Sequence, residues 1–293
     1  MWFGYGSPAG IRDVSSALRL ADQADRDGLD HVSVSDHPYV ADLLDAYAAI
    51  GVLLGRTTRL SAFVNVTNLP LRPAPVLART ATSLAALSEG RFILGLGAGG
   101  AWNAITTMAV PELRPAAAVQ AFEEAMQLVR GLSDGGSPQP TKHYPIGDLQ
   151  PAAVAAPLIW TGSKGPKSLA ATGRQADGWI PGHAADWLSE GYRSARPIID
   201  EAALAVGRKP ADIATIYNFP GELTSSPVRR TRGEDGVWIG GSSDQWVEEL
   251  TGAILEHGAG GFTLFPRGAE PFDVQLARWS NEVAPAVRAA VGS

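Results

Sequence analysis

Two histidines and an aspartate occur within one short segment, residues 31–37, which reads HVSVSDH. Period-two alternation is typical of a strand with two different faces, so the valines are expected to face helices and the polar residues to line a barrel interior. Asp36 and His37 then fall at the carboxyl end of the strand. Because imidazole suits proton transfer near neutral pH, His37 is the candidate catalytic residue. A hydrogen-bonded loop histidine is the alternative, and His31 is interpreted as an interior polar residue.

A second polar cluster ends the next apolar run, where residues 63–68 read FVNVTN. Asn65, Thr67 and Asn68 place amides and a hydroxyl where an apolar strand would otherwise continue, and buried amides need hydrogen-bond partners. The functional interpretation is a hydrogen-bonding wall for a heterocycle. Ordinary turn initiation is the alternative.

Residues 161–167, TGSKGPK, lie between a predicted strand and the next predicted helix. They combine backbone amides, a hydroxyl, cations and a helix N-terminus, which are the elements of an anion site. The spacing is not that of a P-loop. A plain solvated loop is the alternative.

A glycine-rich segment, residues 90–103, reads GRFILGLGAGGAWN and contains a formal G-x-G-x-x-G at Gly95, Gly97 and Gly100. In a dinucleotide-binding turn these glycines lead directly into a helix, and an acidic residue closes the next strand about twenty residues later. That context is missing here. We therefore expect glycines that permit close packing at the top of a strand, or the approach of a flat ring to the backbone.

Composition argues against several classes of function. The chain of 293 residues has no cysteine, which excludes disulfides, thiolate nucleophiles and Cys-type zinc sites. Its histidines lack metal-ligand spacing and no G-x-S-x-G elbow occurs, so we predict no metal site and no hydrolase of that kind. A net charge of −6 without a basic run argues against nucleic-acid or membrane partners, and no targeting or spanning pattern is found, so a cytoplasmic protein with a small-molecule substrate is expected. Arg79, Arg91 and Arg174 are expected to be structural or surface residues.

Apolar runs alternate with segments of helical period along the chain, which is the pattern of βαβ units. Strands are predicted over residues 1–5, 31–35, 60–66, 92–96, 157–160, 178–181, 213–217 and 261–265. Helices are predicted over residues 14–24, 43–54, 74–87, 116–132, 167–174, 187–206, 243–256 and 274–290. Eight such pairs in a single domain, residues 1–293, predict an α/β fold of the (β/α)8 TIM type, with an open doubly wound sheet as the alternative.

Two connections exceed the usual few residues, namely 98–115 and 218–241. In a barrel of this kind both would lie over the active face at the carboxyl ends of the strands, the second as an insertion loop. The apolar tryptophans that could serve either a pocket or an interface are Trp160, Trp179, Trp187 and Trp238. The sequence leaves a homodimer open.

Together these segments resemble the luciferase-like monooxygenase superfamily, particularly its branch that uses the deazaflavin coenzyme F420. The resemblance rests, in chain order, on SDH at 35–37, NVTN at 65–68, RPAPVLAR at 72–79, LSEGRFILGLGAG at 87–99 and ADGW at 176–179. It covers nearly the whole chain, and residues 72–99 carry its most specific part. The pair Asp36 and His37 favours the deazaflavin branch over the flavin monooxygenases.

The resemblance implies a deazaflavin at the carboxyl-terminal face of a TIM-type barrel, which passes hydride through its ring carbon. It implies that His37 is the active-site histidine and Asp36 its cofactor-facing neighbour. It further implies a non-proline cis peptide between Asn65 and Val66, in a bulge of the third strand against the ring. The other cofactor contacts that it implies are Thr67 and Asn68 at the ring edge, Asn103, and a phosphate-binding loop of Gly162, Ser163, Lys164 and Gly165.

The chain departs from this resemblance at Gly100, where several dehydrogenases and reductases of the superfamily carry a glutamate that donates a proton. The expected function is an F420-dependent oxidoreductase that transfers hydride to or from a small organic substrate. The alternatives are an FMN-dependent monooxygenase using reduced flavin and dioxygen, and a non-catalytic barrel that binds a ligand. The substrate and the direction of hydride transfer are left open.

Overall fold

A closed barrel of eight parallel strands forms the centre of the protein. The computed structural model describes residues 1–182, 186–187 and 189–292. The strands in chain order are β1 (Trp2–Gly6), β2 (His31–Val34), β3 (Ser61–Val64), β4 (Thr67–Asn68), β5 (Phe92–Gly97), β6 (Ile159–Thr161), β7 (Gly178–Trp179), β8 (Ala214–Thr224), β9 (Gly240–Ser242) and β10 (Gly261–Pro266). The barrel order is β1, β2, β3, β5, β6, β7, β8, β10, and β10 pairs with both β8 and β1 to close the ring. The predicted (β/α)8 fold is confirmed.

Helices alternate with these strands and cover the outside of the barrel. They are α1 (Val14–Arg26), α2 (Ala46–Arg56), α3 (Ala74–Leu87), α4 (Trp102–Ile105), α5 (Pro115–Gly131), α6 (Pro166–Gln175), α7 (Glu190–Arg193), α8 (Ala195–Leu204), α9 (Ser243–His257), α10 (Phe272–Arg278) and α11 (Ala284–Val291). Val32 and Val34 are buried in the cluster formed with the helices, as the alternation on β2 predicts. No helix in the described ranges is both long enough and apolar enough to cross a bilayer.

His31 lies inside the barrel, as its interpretation from the sequence predicts. Its Nε2 is 2.8 Å from the hydroxyl of Thr263, and its ring contacts the rings of Phe63 and Trp160 at 5.4 and 5.9 Å between centroids. Burial lowers the pKa of His31 to about 3, because a charged imidazole would lose its hydration there. His31 is therefore neutral and belongs to the packed interior rather than to a reactive site.

The third barrel strand is shorter than the predicted range 60–66, because a bulge interrupts it. β3 ends at Val64, the peptide between Asn65 and Val66 is cis, and the strand resumes as β4. Phe63 pairs with Ile93, whereas Thr67 pairs with Leu96, so four steps along this strand oppose three along β5. One residue is thus extra, which defines a β-bulge. The bulge and its cis peptide agree with the expectation from the resemblance.

Two of the predicted helices are divided in the structure. The predicted helix 187–206 is divided into α7 and α8, and residue 188 within it lies outside the described residues. The predicted helix 274–290 contains a π-helical turn at Trp279–Val283 between α10 and α11.

The three arginines that the sequence analysis interpreted as structural or surface residues are so placed. Arg91 donates to the carbonyls of Leu54 and Leu60, Arg174 pairs with Glu123, and Arg79 is exposed.

The predicted insertion 218–241 is largely ordered structure. Its first seven residues continue β8 to Thr224, because Glu222 pairs with Gly240 of β9. The remaining loop, 225–239, packs on α9: the Val228 amide donates to the Gln245 side chain at 3.0 Å, and the Trp238 ring meets Trp246 at 5.0 Å. All four tryptophans considered for a pocket or an interface are buried, and Trp187 and Trp238 also line a second cavity of about 340 Å³.

Candidate functional site

A cavity of about 680 Å³ opens at the carboxyl ends of four neighbouring strands, β2, β3, β5 and β6. This volume is in the range of small-molecule and cofactor sites. The strand ends and following loops that line it supply Asp36, His37, Tyr39, Asn65, Val66, Thr67, Asn68, Gly97, Ala98, Gly99, Gly100, Ala101, Trp102, Gly162, Ser163, Lys164 and Gly165. Further lining residues are Pro115, Ala118 and Val119 of α5, Ser168 of α6, and Gly182. The wall is mainly apolar, with polar groups at its two ends.

His37 stands at the end of the cavity formed after β2. Its side chain is exposed, and its Nδ1 lies 2.7 Å from the phenol oxygen of Tyr39, which also lines the cavity. The other ring nitrogen has no protein partner in the described part of the chain. His37 can therefore exchange a proton with a ligand while Tyr39 orients the ring. The sequence analysis missed Tyr39, although it stands only two residues after His37.

Asp36 is buried beside His37, but both of its oxygens are bound by protein donors. Arg72 donates to one oxygen at 2.9 Å and to the other at 3.2 Å, and the latter also accepts from the backbone amide of Asn68 at 2.9 Å. The same guanidinium donates to Asp45 at 2.7 Å. Asp36 thus lines the cavity, as the resemblance implies, and its hydrogen bonds also position the two loops.

The Arg72 network continues into the wall of the cavity. Its guanidinium lies 4.3 Å from the ring centre of Tyr47, and the Tyr47 phenol is 2.6 Å from the hydroxyl of Thr67. Asp45 caps α2 by accepting from the amides of Tyr47 and Ala48. Burial opposes the charge on Arg72, yet its hydrogen bonds to the two aspartates raise its pKa. Arg72, Asp45 and Tyr47 were not identified as site residues from the sequence. Arg72 is the first residue of segment 72–99, the most specific part of the resemblance, and this position was the one sign in the sequence that it belongs to the site.

The bulge presents Val66 to the cavity between two glycines. A Cβ on Gly97 would come within 2.7 Å of a Val66 methyl, and one on Gly162 within 3.1 Å of the same methyl. Asn65 is held by reciprocal hydrogen bonds with Asn218, at 2.8 and 3.2 Å. The glycines therefore leave the room that Val66 occupies, and a flat ligand can approach the backbone here.

Substitution by alanine is expected to affect stability differently at Gly97, the last residue of β5, and at Gly100 in the loop that follows. A Cβ on Gly100 meets no atom within 4 Å, so Gly100→Ala should change the free energy of unfolding by less than about 0.5 kcal/mol. Gly97→Ala should lower it by about 1 to 3 kcal/mol, because Val66 must be displaced. Chemical denaturation of both variants measures the difference. Equal stability of the two variants would contradict this account of Gly97.

The loop after β6 forms the other end of the cavity. Ser163 is buried, its hydroxyl accepts from Thr172 at 2.8 Å, and its carbonyl accepts from the Trp179 indole at 2.9 Å. The amides of Ser163, Lys164 and Gly165 donate to no recorded acceptor within the described residues. They precede α6, whose N-terminus carries partial positive charge. With the ammonium of Lys164, this loop can bind an anion.

Ten of the eleven site residues named in the sequence analysis line this one cavity. The exception is Asn103, which lies exposed in α4 and does not line it, whereas its neighbour Trp102 does. Asn68, whose backbone amide binds Asp36, lines it as well, and its buried side-chain oxygen has no recorded partner. Among the described residues, no group of three or more His, Asp or Glu side chains is arranged so that it could hold a metal ion.

The fold and the cavity define a (β/α)8 barrel with a candidate ligand site over the carboxyl ends of its strands. The chain belongs to the luciferase-like monooxygenase family, whose model matches residues 2–226.

Two curated relatives extend this comparison. The chain is 36% identical over 209 residues to a phthiodiolone/phenolphthiodiolone dimycocerosates ketoreductase of Mycobacterium tuberculosis, which covers 69% of this chain and 49% of the relative. It is 28% identical over 228 residues to an F420-dependent glucose-6-phosphate dehydrogenase of Microbacterium testaceum, which covers 73% of this chain and 66% of the relative. The chain thus spans about half the length of the ketoreductase.

Solved structures share the fold at low identity. An F420-dependent tetrahydromethanopterin reductase from Methanopyrus kandleri matches with a TM-score of 0.78, 17% identity, and coverage of 97% of this chain and 99% of the other. The FMN-bound oxygenating constituent of 3,6-diketocamphane monooxygenase from Pseudomonas putida matches with a TM-score of 0.71, 18% identity and coverage of 98% of each chain. At such identities the likeness shows the barrel alone.

Proposed function

We propose that the protein is an F420-dependent oxidoreductase that transfers hydride between the deazaflavin and a small, uncharged carbonyl or alcohol substrate. The single observation that carries the proposal is the arrangement of the cavity. An apolar surface at Val66, flanked by Gly97 and Gly162, lies between the loop that can bind an anion, residues 163–165, and His37. A deazaflavin has the matching parts, which are a flat ring, a phosphate-bearing tail and a reactive edge.

The residues present fit such a cofactor. The amides of Ser163, Lys164 and Gly165, the Ser163 hydroxyl and the Lys164 ammonium would hold the phosphate. The bulge residues Asn65 and Val66 would support the ring. The bound deazaflavin supplies a carbon that accepts or donates hydride, and the protein supplies binding, orientation and exclusion of water.

The substrate end of the cavity argues for an uncharged substrate. Lys164 is the only cationic residue among the described lining residues, and it belongs to the anion loop. Trp102, Pro115, Ala118 and Val119 supply an apolar wall instead. Gly100 provides no acid. The ketoreductase named among the relatives acts, by its name, on a ketone. A carbonyl compound therefore fits this end better than a sugar phosphate.

The FMN-dependent monooxygenase is the second candidate function. It is favoured by the FMN-bound barrel among the structural neighbours and by the absence of an acid at Gly100. The same phosphate loop would hold FMN. A third outcome, binding of neither cofactor, would favour a non-catalytic barrel.

Direct titration separates these functions. Purified protein is titrated with F420 and, separately, with FMN, following the tryptophan fluorescence of the protein. Trp102 lines the cavity and contributes to this signal. We expect tighter binding of F420. Ser163→Asp should weaken it by about 10- to 100-fold, because a second negative charge is placed next to the phosphate. Ser225→Asp, in an exposed loop, is the matched control and should leave the affinity unchanged.

Selective binding of FMN would replace the proposal by the monooxygenase. Affinity for F420 that is insensitive to Ser163→Asp would instead place the phosphate elsewhere. Substrate turnover with a ketone series and F420 then tests the reaction itself.

A further inference from the structure

Tyr39 and His37 form a pair at the open end of the cavity. The Tyr39 oxygen lies 2.7 Å from Nδ1 of His37, and both side chains line the cavity. Tyr39 is half-buried and His37 is exposed. The two residues are joined by Pro38, so the segment after β2 places them on the same loop. This short distance is the geometric basis of the inference.

The chemistry of the two groups decides which one donates. A phenol has an ordinary pKa near 10 and an imidazolium near 6.5, so at neutral pH the phenol holds its proton while a neutral imidazole nitrogen accepts. Burial, and then the charge of Asp36, raise the pKa of Tyr39 further. The nearby Asn68 side chain lowers the pKa of Tyr39 in part. Nδ1 of His37 lies within hydrogen-bond distance of the phenol oxygen, so it is the acceptor for the phenol proton.

A neutral imidazole carries one proton on one of its two nitrogens. We propose, on the basis of the proposed function, that Tyr39 is a positioning residue that fixes His37 in the Nε2–H tautomer, so that the ring offers its proton to the carbonyl oxygen of a substrate. Nδ1 is then the acceptor of the Tyr39 hydrogen bond. The tautomer matches the reductive direction, in which the substrate enters as a carbonyl.

The proton balance of the reduction is complete with these groups. When the carbonyl carbon receives hydride, the π electron pair moves to the oxygen, which takes the proton from Nε2. Nδ1 takes the phenol proton at the same time. Nε2 then takes a proton from water, and Nδ1 returns its proton to the phenolate, which restores the starting tautomer. An alkoxide is about as basic as hydroxide, whose conjugate acid has a pKa of about 15.7 and is a much weaker acid than a phenol, so the phenol can supply this proton downhill.

Nitrogen NMR of the protein without cofactor tests the tautomer. The protein is labelled with 15N-histidine and held at a pH of about 9, where an ordinary imidazole is neutral. The signals are assigned with His37→Gln. We expect a proton on Nε2 only, and an Nδ1 shift typical of a hydrogen-bonded acceptor. In Tyr39→Phe the Nδ1 signal should move to the position of an acceptor without a hydrogen bond. A proton on Nδ1 in the wild-type protein, or an unchanged Nδ1 shift in Tyr39→Phe, would overturn the proposal.

A matched control and a kinetic measurement complete the test. Tyr144→Phe removes a phenol that does not line the cavity and should leave the His37 signals unchanged. With F420 and a ketone, Tyr39→Phe should lower kcat about tenfold and leave the affinity for F420 unchanged, whereas an unchanged kcat would overturn the proton supply. If the NMR result is as expected but no ketone is reduced, the proposed function fails and the tautomer assignment stands.

Discussion

Arg72→Met is expected to lower the free energy of unfolding by about 3 kcal/mol, the low end of the range for removing one partner of a buried ion pair. The Asp36 side chain is 1% exposed and the Arg72 side chain 22% exposed, so the pair is poorly screened by water. Without the guanidinium, Asp36 keeps only the amide of Asn68 as a donor. The uncompensated charge, rather than the lost contact itself, causes most of the loss.

Chemical denaturation of the variant measures this effect, and two controls define its cause. Arg12→Met removes the exposed pair with Asp42, whose side chains are 84% and 63% exposed, and should cost less than about 1 kcal/mol. Asp36→Asn in the Arg72→Met background removes the buried charge and should restore part of the stability. A double variant no more stable than Arg72→Met would mean that the charge is not the cause.

His37→Ala is expected to lower kcat/KM with F420 and a ketone by about 100- to 10,000-fold, which is the usual contribution of general acid–base catalysis. The affinity for F420 should stay within about twofold, because His37 lies at the opposite end of the cavity from the anion loop. Its side chain is exposed, so the free energy of unfolding should change by less than about 0.5 kcal/mol. The variant thus separates a loss of chemistry from a loss of fold.

Steady-state kinetics, F420 titration and denaturation of the same preparation give the three quantities. His257→Ala is the matched control, because this exposed histidine ends α9 and does not line the cavity. It should retain full turnover. If kcat/KM of His37→Ala fell by less than about threefold, His37 would not take part in the proton transfer. Another proton donor would then be required at this end of the cavity.

The predicted elements follow the observed barrel closely, and the errors have a common cause. The third strand ends at Val64 rather than at residue 66, because the bulge against β5 stops the ladder there. The seventh barrel strand, β8, continues to Thr224, because it pairs with β9, which is close in space only after folding. Alternation reports which face a residue occupies, but it does not report where pairing with a neighbouring strand ends.

The candidate site residues also show which features the sequence located and which it did not. His37, Val66 and Ser163 were chosen from the sequence and lie around the cavity. Asn103 was chosen as well, but it is exposed on α4 and is not among the residues that line the cavity, whereas its neighbour Trp102 is. Asp36 lines the wall, yet its oxygens are satisfied by Arg72 and by the Asn68 amide.

The sequence by itself determined the barrel, its strand order and the strand ends that carry the site, because these follow from local periodicity and from the regular closure of βα units. Tertiary structure alone decided which side chains hold one another. Arg72 meets Asp36 across 36 residues, and Asn65 meets Asn218 across 153. Such partners depend on the closure of the barrel and on the register of each strand, which no local pattern encodes.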